Sequence, residues 1–166
     1  MKNLFIDAEW YRNQRIFLFG YAFQISDFGQ LYDKSLNRNN IAKILNQVDG
    51  YIFCYGPDIG MVEKNIDLKF RKIKRCINLL TVTRYYLPDL TSYKLRHMEY
   101  LYDIERKHAE YKDNIFNIWH DWNNPAMKKN ILHYNQEDVL NLIRIYKGLK
   151  KDFDLTYKDL DQFIMK

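Results

Sequence analysis

Residues 4–10 read LFIDAEW, a short apolar run that closes on an aspartate and a glutamate two positions apart. Successive side chains of a strand point to opposite faces, so Asp7 and Glu9 share one face with their Cβ atoms roughly 7 Å apart. Two like charges held together repel. The pair fits either a solvated strand edge or a cation lying between the carboxylates.

Outward from this run the first third of the chain is strand-like. Residues 15–25, RIFLFGYAFQI, are almost continuously apolar, as expected of a strand covered on both faces. Residues 11–14 form a tight turn, so these two strands make a hairpin. DFGQ at 27–30 marks a second turn, with a short third strand over 31–34. In NNIAKILNQV, residues 39–48, Ile41, Ile44, Leu45 and Val48 recur at helical spacing behind an asparagine cap. YIFCY, 51–55, reads as a buried central strand, and the chain from Gly56-Pro57-Asp58 to residue 75 as a helix with an acidic first turn and a basic end. Residues 76–82 carry a further strand or a strand running into a helix. Helices follow over 92–106, over 114–122 and from Pro125, and the clearest over 133–149, where Val139, Leu142, Ile143 and Tyr146 form one stripe. A short helix closes the chain. The order predicts an α/β domain with a mixed sheet, in which an antiparallel hairpin is joined by strands added through helical crossovers.

The chain has 166 residues, 47% of them hydrophobic, which fits a single domain over 1–166. Its net charge of +5 is compatible with a polyanionic partner. Two cysteines, Cys54 and Cys76, lack metal-ligand spacing, so a disulfide framework is not expected and a reducing cytoplasmic location is. No signal peptide and no apolar run of membrane-spanning length is present, so no membrane partner is expected.

Four acids stand out on this map. Asp7 and Glu9 close the first strand, Asp58 follows the YIFCY strand, and Asp138 lies early in the long helix. Through FIDAEW, YGPD and HYNQED the chain resembles the DEDD, or DnaQ-like, 3′-to-5′ exonucleases with a ribonuclease H-like fold. In that family the first motif is Asp-x-Glu, the second supplies an Asp after a later strand, and the third is a helical Asp preceded by Tyr or His. Both Tyr134 and His133 stand at the required spacing from Asp138. Asn135 and Val139 bring the third motif closest to the YprB-type branch, which favours Tyr134. Residues 77–102 also look like that branch's middle segment, and the resemblance covers about residues 2–148. The chain departs from the pattern at Pro57, at Cys54, and at position 78, where Asn stands in place of a frequent Asp.

The resemblance implies a ribonuclease H-like fold, a mixed central sheet with flanking helices, and a 3′-to-5′ exonuclease acting on single-stranded DNA or RNA ends. It also implies that Asp7, Glu9, Asp58 and Asp138 hold two divalent cations, Mg²⁺ or Mn²⁺, and that Tyr134, or else His133, serves the attacking water. Hard cations prefer oxygen donors, and a two-cation clamp stabilises both the attacking and the leaving oxygen of a phosphodiester. The basic run KFRKIKRC, with Lys69, Arg71, Lys72, Lys74 and Arg75, offers phosphate contacts, and Trp10 and Tyr11 offer rings for unpaired bases. A binding module without turnover, or an endonuclease on the same fold, would share these features. Any partner protein would act in trans.

Overall fold

Alternation along the first strand sets the layers of the protein. In the computed structural model, which describes residues 1–108, 111 and 114–166, β1 (Leu4–Trp10) sends Leu4, Ile6 and Ala8 to one face of the sheet and Phe5 to the other. Strand β2 (Ile16–Gln24) returns antiparallel to β1, and β3 (Asp27–Tyr32) pairs antiparallel with β2. A 3₁₀ turn and α1 (Arg38–Leu45) lead to β4 (Tyr51–Cys54), which lies parallel to β1, so the hairpin and the helical crossover both form as expected. Two further helices, α2 (Asp58–Ile66) and α3 (Phe70–Ile73), precede β5 (Arg75–Asn78), parallel to β4. The five strands stand in the order β3-β2-β1-β4-β5.

The remainder is helical: α4 (Leu79–Tyr86), α5 (Leu95–Leu101), α6 (Ile115–Trp122), α7 (Lys128–Asp152) and α8 (Tyr157–Asp161). Helices α1, α2 and α3 cover one face through Ile41, Leu45, Ile59, Val62 and Phe70, packed on Leu4, Ile6, Ile52 and Cys76. On the other face Val139, Leu142, Ile143 and Tyr146 of α7 pack on Phe5, Phe53 and Ile77. Phe5 stacks on Phe53 at 5.0 Å between ring centroids, and Tyr146 lies 4.6 Å from Phe53.

Several boundaries differ from the sequence expectation. DFGQ is not a turn, because the chain reverses at residues 25–26 and β3 begins at once with Asp27. The helix expected to run to residue 75 ends at Asp67, which adopts a left-handed conformation (φ 51°) that a short polar side chain tolerates. Two helices expected from Pro125 and over 133–149 are one, since α7 runs unbroken for 25 residues. Helix α5 is shorter than 92–106 and ends before Tyr102. Among the described residues no helix is long and apolar enough to cross a membrane.

One glycine lets α7 reach the sheet. Gly20 stands opposite Asp7 in the β1–β2 ladder, and a Cβ there would lie 2.2 Å from Asn135 Oδ1 and 2.8 Å from Val139 Cγ2. Gly20→Ala is expected to destabilise the protein by about 1–3 kcal/mol, because α7 must back away from β2. Urea unfolding measures this, and an unchanged midpoint would mean that the approach is not tight.

Candidate active site

The site forms where the carboxyl ends of the parallel strands open. Beyond the Phe5–Phe53 pair β1 parts from β4, and the amide of Ala8 donates instead to Asp58 Oδ1 at 3.1 Å. Asp58, in the first turn of α2, is thereby tied to the strand that carries Asp7 and Glu9. The turn before it needs Gly56, whose φ of +125° suits no side chain. Asn78, at the end of β5, clamps that turn: its Nδ2 donates to the Gly56 carbonyl and its Oδ1 accepts from the Gly56 amide, both at 3.0 Å. The same Oδ1 caps α4 through the Leu80 amide. The asparagine at position 78 is thus a strut beneath the second motif.

Helix α7 supplies the third side. Asp138 is 3% exposed, and its carboxylate, with those of Asp7 and Glu9, forms a group whose ligand oxygens lie within 4.8 Å of one another. Asp58 stands outside this group but lines the same cleft. Three positions before Asp138 on the helix, fully buried Asn135 donates to Asp7 Oδ2 at 2.8 Å and accepts from Gln30 Nε2 at 2.9 Å. One side chain therefore links β3, α7 and β1 and fixes the Asp7 carboxylate. Asn135 belongs to the quoted third motif, yet only its burial against Gly20 reveals the work it does.

Tyr134 and His133 part company on the helix surface. Tyr134 is buried and lines the cleft with the carboxylates, whereas His133 is exposed and its ring lies 5.6 Å from that of His108. Neighbouring helical residues point about 100° apart, so the cleft admits one of them. Burial, then the charges of Asp138, Glu9 and Asp7, push the Tyr134 phenol far above its ordinary pKa and keep it protonated.

Sequence inspection offers no signal for Arg106. Its side chain, 5% exposed, forms a two-nitrogen fork on Glu99 and shares Nη2 with Asp138 Oδ1. Asn141 Nδ2 holds Glu99 Oε1 at 3.0 Å, and the guanidinium lies 5.2 Å from the Tyr134 ring centre. Burial disfavours the charge, but Asp138 and Glu99 outweigh it and raise the Arg106 pKa above the usual guanidinium value. The next two amides, of Lys107 and His108, donate to Glu137 at 2.8 and 3.0 Å, so the segment carrying Arg106 is strapped to α7.

The nucleic-acid residues expected from sequence do not all gather here. Trp10 lines the cleft, re-aimed by a register shift at the end of β1. Tyr11 instead packs on Phe17 at 4.6 Å and bonds Asn123 Oδ1 at 3.3 Å. Lys69, Arg71, Lys72, Lys74 and Arg75 precede or begin β5, at the opposite end of the parallel strands from the carboxylates. There Arg71 forks onto buried Glu63, Lys74 Nζ donates to the Val48 carbonyl at 2.6 Å, and Arg75 donates to the Asp49 carbonyl at 3.2 Å. The helix end that made this run conspicuous in sequence serves the fold on the far side of the sheet.

The donor set suits a hard cation. It is all oxygen, and its 4.8 Å span is within small side-chain movements of ligand distances near 2.1 Å. A family model described as RNase_H superfamily matches residues 4–150. No curated protein and no solved structure matches the chain.

Proposed function

Because the chain belongs to the RNase H superfamily, whose nucleases act on nucleic acid with divalent metals, we propose that it is a 3′-to-5′ exonuclease on single-stranded DNA or RNA ends, working with two Mg²⁺ or Mn²⁺ ions. The observation that carries this is the group formed by Asp7, Glu9 and Asp138 in one cleft with Asp58 and Tyr134. The mixed five-stranded sheet with flanking helices is the RNase H-like fold, and it brings together acids from two strand ends and a distant helix.

Asp7, Glu9 and Asp138 would hold one cation, and Asp58 with a carboxylate of that group the second. Cations held by these residues would supply Lewis acidity toward an attacking water and would offset charge on the attacking and leaving oxygens. The chain's own residues do the rest. Asn135 keeps Asp7 turned toward Glu9, and the Ala8 amide and the Asn78 clamp keep Asp58 at the cleft edge. Tyr134 would position the attacking water through its hydroxyl. Its buried place in the cleft supports assigning this role to it and not to His133.

The test is digestion of 5′-labelled single-stranded DNA and RNA with Mg²⁺ or Mn²⁺. A ladder shortening from the 3′ end and abolished by chelator is expected, with circular single strands left intact. Cut circles would make the enzyme an endonuclease, and binding without cleavage would make it a binding module. Tyr134→Phe is expected to slow the ladder by about 10²-fold while leaving the chain folded. An unchanged rate would remove Tyr134 from the reaction.

A further inference from the structure

The cleft above the carboxylates has a volume of about 820 Å³, and one of its walls carries charge of the opposite sign. That wall is built from the end of α4, residues 87–94 and the start of α5, and it presents Arg84, Lys94 and Arg96, all exposed. The segment is tied down. Tyr55, at the end of β4, donates its hydroxyl to the Tyr93 carbonyl at 2.7 Å. The Tyr93 hydroxyl in turn lies 3.0 Å from the Leu87 carbonyl and 2.5 Å from that of Pro88, closing the loop on itself. Arg84 sits 5.5 Å from the centre of the Tyr93 ring. The three cations thus stand on a braced ridge beside the carboxylates.

A floor of carboxylates alone repels a polyanion. A nucleic-acid strand brought to it needs cations flanking the scissile phosphate, and the basic run at 69–75 lies at the other end of the sheet. The same cleft is lined by the partly exposed rings of Trp10, Tyr55 and Tyr93. Cations for phosphates interleaved with rings for bases are the means by which unpaired strands are held without sequence preference. The volume lies within the range of small ligand sites, room for a few nucleotides.

We infer that Arg84, Lys94 and Arg96 form the backbone-binding wall for an unpaired strand, with its bases turned toward Trp10. This deepens the exonuclease proposal and rests on it for the position of the reacting phosphate.

The experiment is equilibrium binding of fluorescent 12-nucleotide single strands, DNA and RNA, to the Asp138→Asn chain in the presence of chelator, where no cleavage is expected, across a salt series. Each of Arg84→Ala, Lys94→Ala and Arg96→Ala is expected to weaken binding about fivefold near 0.1 M salt and to lower the log–log salt slope by about 0.7. The triple variant should lose about two units of slope, while Lys69→Ala/Lys72→Ala binds as the parent does. All of these side chains are exposed, so the variants retain the fold. A triple variant with parental affinity and slope overturns the assignment. So does a loss confined to the Lys69/Lys72 variant, or equal affinity for a blunt duplex. Binding is read without cleavage, so an inactive native chain that still shows these losses would count against the exonuclease proposal and not against the wall.

Discussion

Asparagine in place of Asp138 is expected to slow phosphodiester hydrolysis by on the order of 10³-fold, about 4 kcal/mol of transition-state stabilisation, while the chain stays folded. The amide nearly matches the carboxylate in shape, so α7 keeps its packing, and Arg106 keeps its fork on Glu99. What is lost is one negative oxygen from the group shared with Asp7 and Glu9, and with it, on the proposed mechanism, affinity for a cation held there. Initial rates on labelled strands at saturating Mn²⁺, with a thermal melt of the same sample, measure both halves of this statement. A variant within tenfold of the native rate would take Asp138 out of the cation set.

Arg106→Ala is expected to cost about 3–5 kcal/mol of stability. Glu99 and Asp138 are each 3% exposed, and removal of their shared partner leaves two carboxylates in a medium that solvates them poorly. The cost comes from the stranded charges more than from the lost contact. Glu99→Gln/Arg106→Gln, which removes charge from both sides at once, should therefore be less damaging than Arg106→Ala alone. Urea unfolding of the two variants tests the ordering. A loss under 1 kcal/mol for Arg106→Ala would show that water reaches the pair.

The parts of this molecule legible in sequence are those written in short-range periodicity. Alternation in LFIDAEW placed Asp7 and Glu9 on one face, and the family resemblance, not periodicity, pointed to Asp138 beside them. The stripe Val139, Leu142, Ile143 and Tyr146 announced the helix that covers the sheet. Features that depend on where distant segments meet left no such trace. Arg106 is an ordinary arginine until Glu99 and Asp138 close on it. Asn78 looked like a departure from a motif and is a clamp on the turn that presents Asp58. The run at 69–75 was conspicuous because its charges are contiguous, whereas Arg84, Lys94 and Arg96 meet only because Tyr93 folds the loop between them. Asp67 ends α2 in a left-handed conformation that its short polar side chain tolerates, a stop that the favourable helical composition around it did not announce.

The carboxylate group draws on the first strand and on the last long helix, with most of the chain between them. Without α7 in place Asp7 and Glu9 lack the third acid of that group, because among the described residues no earlier segment supplies it. Any cation that this group holds is therefore held only while α7 is docked on β1 and β2, so loosening of that one helix would release it.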